Sequence, residues 1–135
     1  MLNQKSDLVK ERIDFLDVPN LGYTNFRKLC ARSSDDRDYV LPNGESSYTS
    51  GLRLEYFMTR ATNIVDNSVI IVTHQGIISD YLRNKFPMEF IHEKSKLFAQ
   101  IREDSIVNCS ITRVDVMGSE HILKYIGKTD HLSKL

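Results

Sequence analysis

Apolar and polar positions alternate along the chain with three different periods, and the changes of period mark the elements. Residues 1 to 20 are polar and charged, apart from an apolar island at Ile13, Phe15, Leu16 and Val18 that Pro19-Asn20 breaks. Tyr23 to Cys30 predicts a short helix, started by Thr24 or Asn20 and burying Phe26, Leu29 and Cys30. Residues 31 to 38, ARSSDDRD, have the composition of a solvated loop. Residues 41 to 47 form a turn, with Ser46 or Ser47 as the N-cap of a helix that runs to about Val65. Tyr48, Leu52, Phe57, Ala61, Ile64 and Val65 are that helix's apolar positions.

Asp66-Asn67 ends the helix. From Ser68 to Thr73 the chain is continuously β-branched and apolar at its centre, the pattern of a strand covered on both faces in a parallel sheet. A second helix follows from about Gly76 to Lys85, burying Ile77, Ile78, Tyr81 and Leu82, and Pro87 stops it. Residues 88 to 104 are ambiguous, partly helical around Lys94 to Ile101. Ser105 to Val116 predicts a strand, Gly118-Ser119 a hairpin turn, and His121 to Ile126 the returning strand. The expected class is α/β, with a parallel-sheet core, flanking helices and a C-terminal β-hairpin.

Length and charge narrow the function classes. A chain of 135 residues fits one domain, residues 1 to 135. Eighteen basic and eighteen acidic residues balance, so no global charge points to nucleic acid or an anionic membrane. No apolar run is long enough to span a bilayer, and MLNQKSDLVKER has no signal-peptide core. Cys30 and Cys109 lack CxxC spacing and read as free thiols of a reducing compartment, the cytoplasm or another intracellular one. Without a secretory signal, the sequon at Asn108-Cys109-Ser110 carries little weight. The four histidines have no HxxxH or HExxH spacing, so neither a metal nor another cofactor is expected.

The chemistry converges on one junction. His74 ends the expected strand, and the N–H groups of Gln75, Gly76 and Ile77 open the next helix, where they are unpaired and favour an anion. Gly76 allows a ligand close to the backbone. The plainer reading is that His74 caps the helix or bonds a carbonyl at the edge of the core. A small anion- or nucleotide-binding α/β domain is one functional reading of this junction. The absence of a GxGxxG or GKS/T loop counts against it.

Thr73-His74-Gln75-Gly76 after an apolar strand resembles the second histidine motif of the histidine phosphatase superfamily, which includes the phosphoglycerate mutases. The usual form is Ser/Thr-His-Gly-Gly, and the glutamine is a departure. Pro42-Asn43-Gly44-Glu45-Ser46 resembles the family's Pro-Gly-Gly-Glu-Ser turn and is followed by a helix with Arg53. Asn108-Cys109-Ser110 resembles the late Asn-Cys-Ser-Val strand, and Asp130-His131-Leu132 the closing segment. The resemblance covers about residues 40 to 132.

The resemblance implies a phosphoglycerate mutase-like fold missing its first strand, because no histidine stands in the family's Arg-His-Gly nucleophile motif. It implies His74 as the supporting catalytic histidine, and His74, Gln75 and Gly76 as phosphate contacts. Gly44, Glu45 and Ser46 form the turn, where Glu45 orients the loop. Glu11 is a candidate acid by rough position, against the plainer reading of a solvated charge. Arg12, Arg53 and Arg60 could meet an anion, while His92 and His131 read as surface or structural.

The functional expectation is a degenerate family member without turnover of its own, kept as an interaction or structural module around a residual phosphate pocket. The alternative is the C-terminal part of a phosphatase or phosphomutase completed by another segment. A phosphorylated small molecule or phosphate ion is the expected ligand. The missing strand would lie beside Ser68–Thr73, and an open apolar edge needs a cover. Candidates are a partner protein, a second copy, or the Ile13–Val18 segment. The resemblance requires His74 to end a central parallel strand.

Overall fold

Helical periodicity dominates the computed structural model, which describes residues 5–64, 68–95 and 106–134. Among the described residues there are four α-helices, α1 (Tyr23–Asp35), α2 (Ser47–Ile64), α3 (Gln75–Lys85) and α4 (Met88–Lys94). One antiparallel hairpin follows, β1 (Ile111–Met117) and β2 (Glu120–Lys128). Short 3₁₀ turns stand at Asp7–Val9, Phe15–Asp17 and Asp130–Lys134. No described helix is long and apolar enough to cross a membrane.

The expected parallel-sheet core is not there: the sheet of the described residues has two strands, both in the hairpin. Residues 68–73 lead into α3 but belong to no ladder, and His74 ends no central strand. The physical reason is the missing neighbour. A β-branched run sets strand propensity, yet a strand exists through the hydrogen bonds of an adjacent one. Ile70 and Val72 stand 74% and 88% exposed, the opposite of a strand covered on both faces. The Ile13–Val18 segment does not cover them: Phe15–Asp17 curls into its own turn, capped by Asp14.

Apolar packing gathers elsewhere. Leu54 of α2, Ile77, Tyr81 and Leu82 of α3, Ile91 of α4, Ile106, and Leu123 and Ile126 of β2 form one buried cluster. The hairpin therefore lies over the helices in place of a central sheet. Val114 pairs with Leu123 and Met117 with Glu120, around a turn in which Gly118 takes φ 61°. Register shifts on either side of Arg113 bend the ribbon.

Three local expectations change. α1 continues through residues 31 to 35, expected as loop, and starts at Gly22, not at a Thr24 or Asn20 cap. Its buried residues are Ser33 and Ser34, while Phe26, Leu29 and Cys30 are half-buried. In α2 the buried face is Ser47, Ser50, Gly51 and Leu54, and the expected core positions Tyr48, Leu52 and Ile64 face outward. The β1 strand starts at Ile111, because Asn108 and Cys109 form a turn with Cys109 at φ 61°. Most of the helical part expected around Lys94 to Ile101 lies outside the described residues; α4 starts at Met88, six residues earlier than that expectation.

α2 and α3 meet through small residues. A Cβ on Gly51 would stand 2.6 Å from the Asp80 carbonyl oxygen and 2.4 Å from Asn84 Nδ2, so glycine alone allows this approach. Ser46 caps α2, its Oγ accepting from the Thr49 N–H at 3.1 Å.

Candidate functional site

Gly76, Ser79, Asp80 and Arg83 recur at i, i+3, i+4 and i+7 along α3, so they form one polar stripe opposite Ile77 and Tyr81. The stripe faces α1 and a strap formed by residues 7–12. Between them lies a cavity of about 200 Å³, walled in part by Glu11, Arg12, Arg27, Gln75, Ser79 and Arg83. Three arginines and two carboxylates line it.

The strap is tied down at five points. The Arg53 guanidinium donates to the carbonyls of Leu8 (2.8 Å), Asp7 (3.2 Å) and Lys10 (3.0 Å), and its other side pairs with Glu45. The Thr73 hydroxyl donates to the Val9 carbonyl. The Glu45 N–H donates to the Arg12 carbonyl at 3.3 Å, across Gly44, whose place a Cβ would obstruct at 2.7 Å from that same oxygen. The Pro42–Ser46 turn thus clamps the strap, and Glu45 orients Arg53 for the same purpose.

Arg12 anchors the strap's end. Its Nη1 donates to both Asp80 carboxylate oxygens at 2.9 Å, and its Nη2 donates to Ser34 Oγ at 2.8 Å and the Cys30 carbonyl at 3.3 Å. Ser47 Oγ donates to Asp80 Oδ1. Arg37 reaches the Asp80 carbonyl at 3.1 Å and the Asn84 side chain. Burial pushes the Asp80 carboxyl above the usual carboxylate range, and Arg12, Ser47 and Arg37 pull it back. A charge buried this deeply persists because it is paired and hydrogen-bonded.

Glu11 stands at the head of α3. One oxygen accepts from the Gly76 N–H at 3.1 Å, and the other from the Arg12 N–H at 3.0 Å. A Cβ on Gly76 would meet this carboxylate at 2.6 Å. The chain's own carboxylate therefore holds the position that favours an anion at a helix N-terminus. Gln75 Nε2 and Ser79 Oγ, both in the cavity wall, are buried without a hydrogen-bond partner.

The structure separates the expected site residues. Glu11, Gln75 and Gly76 come together at the cavity. His74 precedes α3 as its N-cap, but its imidazole makes no capping bond, stands exposed and does not line the cavity. Gly44, Glu45 and Ser46 serve the strap and the α2 cap. Arg60 is exposed over Tyr56, His131 is exposed, and His92 is half-buried in α4. Cys30 and Cys109 are free thiols. Among the described residues no group of His, Cys, Asp and Glu could hold a metal ion.

Sequence reasoning missed two sets of residues. Asp80 and Ser34 were missed as the partners that Arg12 and Ser47 meet in the buried polar knot. The signal was the small-residue spacing Ser47, Ser50, Gly51 and Leu54, which repeats at i, i+3, i+4 and i+7. The second set surrounds His121, buried on β2. Burial holds the Tyr81 phenol pKa above its usual value, and Tyr81 Oη shares a hydrogen bond with His121 Nδ1 at 2.7 Å. The other ring nitrogen, Nε2, faces Thr59 Oγ1 at 3.4 Å.

Set against known proteins, the chain matches no family model, no curated protein and no solved structure.

Proposed function

We propose that this chain is a binding module without turnover, whose anion pocket is closed by its own Glu11. The observation that carries this reading is the Glu11 carboxylate on the Gly76 N–H, inside a cavity with three arginines in its wall. The motif order of the Pro42–Ser46 turn, His74 and Gly76 carries no family relation, because His74 ends no central parallel strand. The ligand is a phosphate ion or a phosphorylated small molecule that competes with Glu11 for the α3 N-terminus, within reach of Arg27, Arg83 and the partnerless Gln75 and Ser79 groups. Its centre lies at Gln75 and Gly76, with His74 outside the cavity. An intracellular, reducing setting suits the two free thiols.

Two measurements test this together. Hydrolysis of an aryl phosphate is expected to be absent in the wild type and in His74→Ala. Calorimetric titration with inorganic phosphate is expected to show tighter binding to Glu11→Gln than to the wild type, because the variant removes a negative charge from the site. Turnover that vanishes in His74→Ala would make the chain an enzyme and end the module reading. Equal phosphate affinity in both chains would remove Glu11 from the pocket's chemistry.

The bare 68–73 segment favours a second reading, in which another segment or protein completes a phosphatase by pairing with it. Adding a strand that carries Arg-His-Gly would then produce hydrolysis, and continued silence would count against completion.

A further inference from the structure

The outer face of α2 carries large groups that the fold leaves in solvent. Tyr48, Leu52 and Tyr56 are 47%, 42% and 53% exposed, and Arg60 is exposed one further turn along. Their spacing of four places all of them on one ridge of the helix. Single exposed apolar residues need no explanation, but a continuous ridge of two tyrosines, a leucine and an arginine has the composition of an interface centre.

The order of these residues is self-complementary. If two α2 helices lie antiparallel about a twofold axis, with Leu52 of one copy against Tyr56 of the other, the same register sets Tyr48 against Arg60. Each guanidinium then meets a tyrosine face, and each leucine meets an aromatic ring. Arg60 is already held along the ridge, its Nη1 donating to Tyr56 Oη at 2.9 Å. In this register the two Arg60 residues stand about 18 Å apart along the helices, beyond the screening length at physiological salt. A parallel pairing would place them side by side. The acids nearest the ridge, Glu45 and Glu55, are engaged with Arg53 and Lys85 and put no carboxylate in the register.

We infer that a second copy of this chain docks on the Tyr48–Leu52–Tyr56–Arg60 ridge of α2, forming an antiparallel, isologous dimer. Nothing in this pairing uses the α3 cavity or the 68–73 segment.

Sedimentation equilibrium of the full chain at about 100 μM tests it, a concentration at which even a modest interface is populated. Twice the chain mass is expected for the wild type, and one chain mass for Leu52→Glu with an unchanged circular dichroism spectrum. Tyr48→Arg sets like charges together and is expected to raise the dimer dissociation constant about tenfold. Adding Arg60→Glu to that variant restores an attractive pair in this register and is expected to recover the dimer. A wild type of single-chain mass would overturn the inference. So would a dimer that survives Leu52→Glu, or a charge swap that fails to rescue.

Discussion

Two sides of one helix are held by opposite physics. Toward the hairpin, α3 presents Ile77, Tyr81 and Leu82 to an apolar cluster that includes Leu123 and Ile126. Toward the strap and α1, it presents Asp80 and Arg83 to a knot of ion pair and hydrogen bonds. The apolar side is non-directional and proportional to area, so it tolerates exchange of similar volumes. The polar side is directional, and each member depends on its partner being present. The strap and α1 are therefore attached to the body by geometry, whereas the hairpin is attached by burial.

Removing one member of the knot should show the difference most strongly. Arg12→Ala leaves Asp80 charged and buried, and is expected to cost about 3–5 kcal/mol in urea unfolding. Replacing both as Arg12→Met with Asp80→Leu should recover most of that loss, and a double variant as unstable as the single would break the comparison. On the apolar side, Leu82→Ala creates a cavity and is expected to cost about 3 kcal/mol, with Leu82→Met losing less than about half of it. Gly51→Ala tests the close approach of α2 to α3. The added Cβ must displace backbone at Asp80, for an expected loss of about 2 kcal/mol.

The smallest effect concerns pH, where the two kinds of interaction meet at His121. Burial and the nearby Lys85 lower its pKa from the ordinary 6.5, with Glu55 opposing. The unfolded chain thus takes the proton first. The stability His121 contributes is fully present above pH 6.5 and is lost as pH falls from there toward its lowered folded value. His121→Gln should flatten this dependence between about pH 7 and 5 in thermal melts. An unchanged slope would assign the pH response to other groups.

The same contrast explains what could be read in the chain. The hairpin, α3 and the limits of α2 follow from apolar period and turn chemistry, which report burial directly. The knot does not, because a buried serine and a solvated one look alike in a sequence. That is why Ser33 and Ser34 read as loop, and why the outward Tyr48 and Leu52 read as core. Ser68–Thr73 failed for another reason. Its pattern reports a strand's preference, but the neighbour that would make it a strand is not encoded locally. At the cavity, Gln75 and Gly76 were legible from the helix start. The Glu11 contact joins residues 65 positions apart and needed the fold.

The strap's attachments also set an order of events during synthesis. Arg12 leaves the ribosome 68 residues before Asp80, and Glu11 65 residues before Gly76. Contacts of such separation form late, after the loop between them has paid its closure entropy. While translation proceeds through α1 and α2, Arg12 lacks the Asp80 carboxylate and Glu11 lacks the Gly76 N–H, although Arg53 and Glu45 can already hold the strap's backbone. The strap of a nascent chain is therefore only partly held until α3 has emerged, and cleavage before residue 13 should be faster on the ribosome than afterwards.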